Sequence, residues 1–358
     1  MLASARLPEP APPDRLFAAR VLREEALRAG FVRVGIAAAA EPPRHARFDA
    51  WLDAGRHAGM RYLAETRAAR ADPGALLAGA RSVICLASPY PSAPWVAADG
   101  SRFARYARGS DYHGDLRQKT LAVVASARKR LGTAWSARVC VDSTPLSERS
   151  FAAAAGVGWI GKNGCVIDEE HGSYLLLAEI LTDLDLPPDA PVAESCGACT
   201  RCLDACPTDA FLEPGLLDAG RCLAYWTIEH RGPIPDAWKA AVGSRVFGCD
   251  VCQEVCPWNA PLRSPPGLAS APARTPADAA PPTRAEILAM GKGAWRRRFG
   301  TTAVNRAARR GLQRNAAASA GATRDAACLP ALQKAARVEE PDLSEAAGWA
   351  IGRLAPPL

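Results

Sequence analysis

Apolar positions along the first half of the chain switch between two periods. PDRLFAARVLREEALRAG carries them three and four residues apart and stops at Gly30, which predicts an amphipathic helix. LRQKTLAVVASARKRLG does the same and closes on Gly132. Between and after them, FVRVGIAAA, RSVICLASPY and ARVCVDS are short, apolar and rich in β-branched residues, as strands are. Residues 1–187 therefore read as an α/β domain mixing helix and strand. Residues 188–262 show little periodicity, and residues 263–283, dense in Pro and Ala, read as an extended linker. From Arg284 the helical period returns and holds to the C-terminus. LPALQKAARVEEPDLSEAAGWAIGRL resembles one helical pair of a solenoid, which cannot bury its own face and must pack on the helices before it. The pattern predicts an α+β multidomain protein.

Composition narrows the class. A chain of 358 residues can hold two or three domains with real cores. It has no apolar run long enough to span a bilayer, and MLASARLPEPAPPDR lacks an apolar signal core. The expectation is a cytoplasmic, monomeric protein with no membrane partner. Disulfides are rare in that compartment, so 12 cysteines need another explanation. The net charge of +7 matters less than its placement. From Lys292 to Arg314 the basic residues are Lys292, Arg296, Arg297, Arg298, Arg306, Arg309, Arg310 and Arg314, with no acidic residue among them. Such a run suits a phosphate backbone, although a solvated helix face in an arginine-rich chain reads the same way.

The cysteines carry the firmest chemistry. Cys196, Cys199, Cys202 and Cys206, followed by Pro207, form C-x2-C-x2-C-x3-C-P, the bacterial ferredoxin spacing for [4Fe–4S] clusters. Cys249, Cys252 and Cys256, followed by Pro257, form a second run one cysteine short, and Cys222 completes eight. The crossed ferredoxin pattern assigns Cys196, Cys199, Cys202 and Cys256 to one cluster. It assigns Cys206, Cys222, Cys249 and Cys252 to the other. Zinc is the competing reading, but zinc pairs are usually isolated C-x2-C units. Cys85, Cys140, Cys165 and Cys328 read as structural thiols.

Two segments invite a functional reading without deciding it. GVGWIG matches a dinucleotide fingerprint, yet it follows an alanine-rich helix where a strand belongs, and KNGCVI after it cannot open a helix. The fingerprint is rejected, although the glycines with Lys162 and Asn163 still make a tight, polar loop. VDSTPLSERS places Asp142 just past a strand. Thr144 before Pro145 would make this a simple helix start. Asp142 would instead suit a general acid if an apolar pocket raised its pKa. Nearby, YARGSDYHGDLRQK gathers Tyr106, Asp111, Tyr112 and His113, where a lone histidine is more often structural than a ligand.

Taken in order, ARADP, YARGSDYHGDLR, VDSTPLSER, GWIGKNGCVI, HGSYLLLAEI, CGACTRCLDACP, RCLAYWTIE and GCDVCQEVCPWN resemble the epoxyqueuosine reductases, which complete queuosine in tRNA. The resemblance runs from about residue 15 to the C-terminus. It implies a cobalamin-binding α/β domain, a ferredoxin-like domain with two [4Fe–4S] clusters and a HEAT-like C-terminal region that grips tRNA. It also implies base-off cobalamin without a histidine ligand. The D-x-H-x-x-G signature fails at Leu116, where its glycine should stand. Asp142 matches the family's proton donor. Arg70, Tyr106, Asp111, Tyr112, His113, Arg149, Lys162, Asn163, Ser173 and Tyr174 would line the cobalamin or substrate pocket. An electron donor that the sequence does not name would feed the clusters. The rival readings are a cobalamin-dependent reductive dehalogenase and a non-catalytic electron-transfer protein.

Overall fold

The computed structural model describes residues 14–91, 93–260 and 280–355. The first predicted helix forms as Arg15–Arg28, started by the Asp14 side chain, which accepts the Phe17 N–H at 2.8 Å. The strands Arg33–Ala38, Ser82–Pro89, Leu175–Thr182 and Ala137–Cys140 lie side by side in that order, every pairing antiparallel. Ser82–Pro89 is central. Its Ile84 and Leu86 enter one apolar cluster, while Val83, Cys85 and Ala87 enter another on the opposite face. Burial on both faces explains why this strand reads as a continuous apolar run and not as an alternation.

The helices Arg15–Arg28 and Tyr112–Leu131 cover one face of the sheet, and the short helix Glu148–Ala154 covers the other. That second packing is close: a Cβ on Gly35 would lie 2.1 Å from the Ala155 carbonyl oxygen. The helix begins at Glu148 after Ser147, not at Thr144 and Pro145 as its sequence suggests, because residues 142–147 are spent on a tight turn leaving the sheet. The glycines of GVGWIG sit around a hairpin, Trp159–Ile160 paired with Val166–Ile167. A Cβ on Gly158 would meet the Ile167 oxygen at 2.3 Å, so the glycine serves hairpin packing and no helix follows it.

The cysteine-rich region is tied to the first. Strand Arg245–Phe247 pairs in parallel with Arg102–Phe103, which also pairs with Trp95–Val96. The C-terminal helices are Arg284–Ala289, Lys292–Phe299, Ala308–Thr323, Leu329–Ala335 and Pro341–Leu354. As the sequence requires, the last helix packs on Ala308–Thr323. Gly321 permits this, since a Cβ there would strike the Trp349 ring at 2.5 Å. One apolar cluster runs from Ala18 through Phe247 to Ala350, so the C-terminal helices share a core with the first region. Most of the expected Pro/Ala-rich linker, residues 263–279, lies outside the described residues. Among the described residues, no helix is long and apolar enough to cross a membrane.

Arg314 is corrected here. It is 1% exposed. Its guanidinium donates to the carbonyl oxygens of Trp226, His230 and Gly232 at 2.6, 3.1 and 2.5 Å, so it is a bolt between regions and cannot touch a nucleic acid. Arg314→Met leaves those acceptors without a donor. At ~1–3 kcal/mol for each buried group left unpaired, the expected loss is at least ~3 kcal/mol in denaturant unfolding. The exposed Arg296→Met should shift the same transition by under ~0.5 kcal/mol.

Candidate active site and cluster sites

The two cysteine runs are brought together by a pair of short helices, Arg201–Asp204 and Val251–Glu254, that pack against each other. As a result Cys196, Cys199, Cys202 and Cys256 all line one cavity of about 240 Å³. The remaining four form a second group. Cys206 lies in the field of Cys222, Cys222 in that of Cys249, and both Cys222 and Cys249 act on Cys252. Burial holds the Cys222, Cys249 and Cys252 thiols up, Cys249 at about 11, so loading iron there must displace protons. Among the described residues, no three Cys, His, Asp or Glu converge as tightly as one metal ion requires. Zinc needs its thiolates about 2.3 Å from a common centre. The looser four-thiol groups fit a cluster of several irons.

The GKN loop stands between these thiols and a larger cavity. Lys162 Nζ donates to the carbonyl oxygens of Gly197 and Cys199 at 2.7 and 3.0 Å. Asn163 Nδ2 donates to the Cys252 carbonyl at 3.4 Å, and its Oδ1 accepts the Cys165 N–H at 3.1 Å. Asn163 lines both cavities.

The larger cavity measures about 390 Å³, within the range of small-molecule and cofactor sites. Its wall includes Phe48, Trp51 and Tyr62, four arginines (Arg44, Arg47, Arg70 and Arg149), and two acids, Asp142 and Glu148. None of the described lining residues is a histidine, cysteine or methionine. A metal cofactor held here would draw no histidine, cysteine or methionine ligand from the described wall.

Asp142 sits two residues past the strand Ala137–Cys140 with φ +39°, a left-handed backbone that asparagine and aspartate tolerate best. Its N–H donates to Glu148 Oε1. Its Oδ2 accepts from the Tyr112 hydroxyl at 2.6 Å and faces His113 Nε2 at 2.8 Å. His113 Nδ1 faces Asp111 Oδ1 at 2.6 Å. Burial pushes the Asp142 pKa up, but the His113 and Tyr112 hydrogen bonds outweigh it, and the carboxyl ends below its ordinary value. The same bond, with that to Asp111, lifts His113 to about 9 despite burial. The condition for a neutral Asp142, an apolar pocket that raises its pKa, is not met. The carboxylate is ionised and the proton rests on His113. The Asp142 side chain is 54% exposed.

Other expected pocket residues divide. Arg70, Arg149 and Asn163 line the large cavity. Tyr112, His113 and Asp111 lie behind Asp142, and Tyr106 is packed edge-on against Tyr112, with ring centroids 5.9 Å apart. Lys162 faces the cluster cavity instead. Ser173 and Tyr174 are corrected. Ser173 Oγ accepts from Gln253 and Asn259 at 3.1 and 2.9 Å, and Tyr174 is buried under Arg105. Both join the cysteine-rich region to the sheet. Sequence reasoning missed Phe48, Trp51, Tyr62 and Glu148. The aromatic and arginine spacing of RHARFDAWLDAGRHAGMRYLAE held a signal for the first three.

Two adjoining four-thiol sites, separated by one loop from a cofactor-sized cavity with an acid at its wall, define an iron–sulfur reductase of a bound substrate. Comparisons agree. The family described as "4Fe-4S double cluster binding domain" matches residues 195–259, and "Epoxyqueuosine reductase QueG, DUF1730" matches residues 70–143. The epoxyqueuosine reductase of Xanthomonas campestris pv. campestris is 37% identical over 98% of this chain and 99% of its own length. That of Gloeobacter violaceus is 45% identical over 66% of this chain and 75% of its own. The Bacillus subtilis epoxyqueuosine reductase, solved with its catalytic aspartate loop swung out of the active site, superposes with a TM-score of 0.84. It is 32% identical, over 94% of this chain and 90% of that one. An epoxyqueuosine reductase solved with an epoxyqueuosine-modified tRNA-Tyr stem loop gives 0.81 at 30% identity, with the same coverage. The chain belongs to the epoxyqueuosine reductases. The cofactors of this family are two [4Fe–4S] clusters and cobalamin.

Cys202→Ser should empty the first site alone. The reconstituted variant is expected to hold about half the wild-type iron and sulfide, and to keep one cubane signal in electron paramagnetic resonance. Loss of both clusters, or of neither, would contradict two separate four-thiol sites.

Proposed function

We propose that this chain reduces epoxyqueuosine to queuosine in tRNA, with the Asp142–His113 pair supplying acid in the large cavity. The observation that carries the reading is the contact itself: His113 Nε2 lies 2.8 Å from Oδ2 of a carboxylate that opens into the cavity. Cobalamin, held base-off between Arg70, Arg149 and Asn163, would supply a low-valent cobalt to the reacting carbon, and the clusters would feed it electrons singly. The protein's own part is to bring a proton to the epoxide oxygen as its carbon–oxygen bond opens. An alkoxide leaves poorly, and a positioned acid contributes ~10²- to 10⁴-fold. His113 keeps the proton at neutral pH, Asp142 relays it at the cavity wall, and Tyr112 holds Oδ2 in place. The three regions, 1–187, 188–262 and 284–358, would divide cofactor binding, electron supply and tRNA grip.

The basic run supports the tRNA substrate selectively. Lys292, Arg296 and Arg297 are exposed on the helix Lys292–Phe299, just before Thr301, whose carbonyl accepts the Asp111 N–H at 3.0 Å. Arg306 stands beside the cavity-lining Tyr62, 5.7 Å from its ring centroid, and is paired through three bonds with Glu229. Arg298 is taken by the Ala280 carbonyl, Arg309 by Gln313 and Arg310 by Glu340. The grip on tRNA phosphates therefore falls to Lys292, Arg296 and Arg297, with Arg306 beside Tyr62.

The direct test is anaerobic: protein loaded with iron, sulfide and cobalamin, a strong reductant, and epoxyqueuosine-containing tRNA, with digested nucleosides weighed. Wild type should yield a nucleoside lighter by one oxygen, and Asp142→Asn should slow it by ~10²- to 10⁴-fold. Because His113 loses its proton as pH rises through about 9, wild-type turnover should fall there. No conversion by the loaded wild type would overturn the reading. Replacing Lys292, Arg296 and Arg297 with alanine should weaken tRNA binding and flatten its log–log salt dependence by ~2–3 units, at ~0.7–0.9 per phosphate contact.

A further inference from the structure

Removing the epoxide oxygen as water breaks two carbon–oxygen bonds, forms one carbon–carbon double bond, and consumes two electrons and two protons. The clusters account for the electrons. The Asp142–His113 pair holds one proton. We propose that Glu148 is the second proton donor: its carboxyl, in the wall of the same cavity and joined to the Asp142 backbone, protonates the oxygen after the Asp142–His113 pair has delivered the first proton. This inference rests on the epoxide reading above.

The geometry places Glu148 for this. It stands at the first position of the helix Glu148–Ala154, lines the large cavity beside Asp142, and accepts the Asp142 N–H through Oε1. That bond fixes the two acids relative to one another across a turn that otherwise strains the Asp142 backbone. Behind Glu148 lies Glu179, paired in the sheet opposite Cys85 and Cys140 and 0% exposed, with neither carboxyl oxygen hydrogen-bonded. An ionised carboxylate without a partner is too costly to keep in such a place, so Glu179 holds its proton.

Charge decides which of the three acids ionises. The groups facing Glu148 are Asp142, Arg149, Arg70, Glu179 and Tyr112, with the buried thiols Cys85 and Cys140 further back on the sheet. Asp142 has a cation and a hydroxyl on its oxygen and takes the negative charge. Burial, then the Asp142 charge, pushes Glu148 up to about 8 against the pull of Arg149 and Arg70. Neighbouring carboxyls cannot all ionise at once. The resting cavity at neutral pH thus carries one proton on His113 and one on Glu148, the number that each oxygen requires. Above pH 8 the second is lost first.

Two measurements test this. In the cofactor-loaded enzyme, Glu148→Gln should lower kcat by ~10²-fold with KM for tRNA within twofold of wild type. It should also remove an alkaline limb near pH 8 and leave the limb near pH 9. Glu148→Asp, which keeps an acid on a shorter arm, should restore part of kcat. Independently of turnover, infrared difference spectra of the wild type between pH 6.5 and 9.5 should show a protonated carboxyl band that disappears with a midpoint near 8 and is absent in Glu148→Gln. A Glu148→Gln variant with wild-type kcat and both limbs would overturn the proposal, as would a wild type without that band. Failure of the wild type to convert epoxyqueuosine would sink the parent reading instead, and the infrared band would still report on Glu148.

Discussion

A carboxylate partly withdrawn from water keeps its charge only if something nearby stabilises it, and the site depends on how Asp142 meets that condition. One oxygen, Oδ2, takes both the Tyr112 hydroxyl and the His113 ring. Those two residues open the helix Tyr112–Leu131, whose first turn is capped by Asp111. The long helix therefore lays down the partners, and the strand Ala137–Cys140 ends where they can be met. Glu148 completes the arrangement from the opposite face of the sheet. The positive φ of Asp142 is a local cost that these three contacts together hold in place.

Protons and electrons arrive from different sides. The acids hang from the central sheet, and the thiols sit on two short helices beyond the GKN loop. That loop is tied to cluster-ligand backbone by Lys162 and Asn163, so the electron source cannot drift from the cavity without breaking those bonds. The buried Arg105–Asp250 pair and the shared strand at Arg245–Phe247 add to the seam. The C-terminal helices then close the assembly through Arg284, 2% exposed and bonded to the Asp99 carbonyl of the first region, and through Arg314.

What could be read from sequence follows from range of interaction. Cluster ligands are spaced by local geometry, and the cysteine runs that the double-cluster family matches were legible without any tertiary knowledge. Helices and strands with a strong period were equally plain. Residues whose meaning is set by distant partners were not. Arg314 looked like its basic neighbours, yet three carbonyls from residues 226–232 claim it. Ser173 and Tyr174 lie in a polar stretch that suits a pocket, but Gln253, Asn259 and Arg105 occupy them. The histidine read as structural holds the proton, because the expectation placed that proton on Asp142 without knowing what would stand beside it. The antiparallel order of the sheet was hidden for the same reason, since alternation of helix and strand does not fix strand direction.

The chemistry of the site turns on an ionised Asp142 with the proton on His113. Nitrogen NMR of the His113 ring, followed against pH in the oxidised protein with and without Asp142→Asn, tests it most directly. The expected signal is an imidazolium that persists through neutrality and titrates near pH 9, moving down when Asp142 loses its charge. A neutral ring at pH 7.5 in the wild type, unmoved by the substitution, would contradict it and return the proton to the carboxyl.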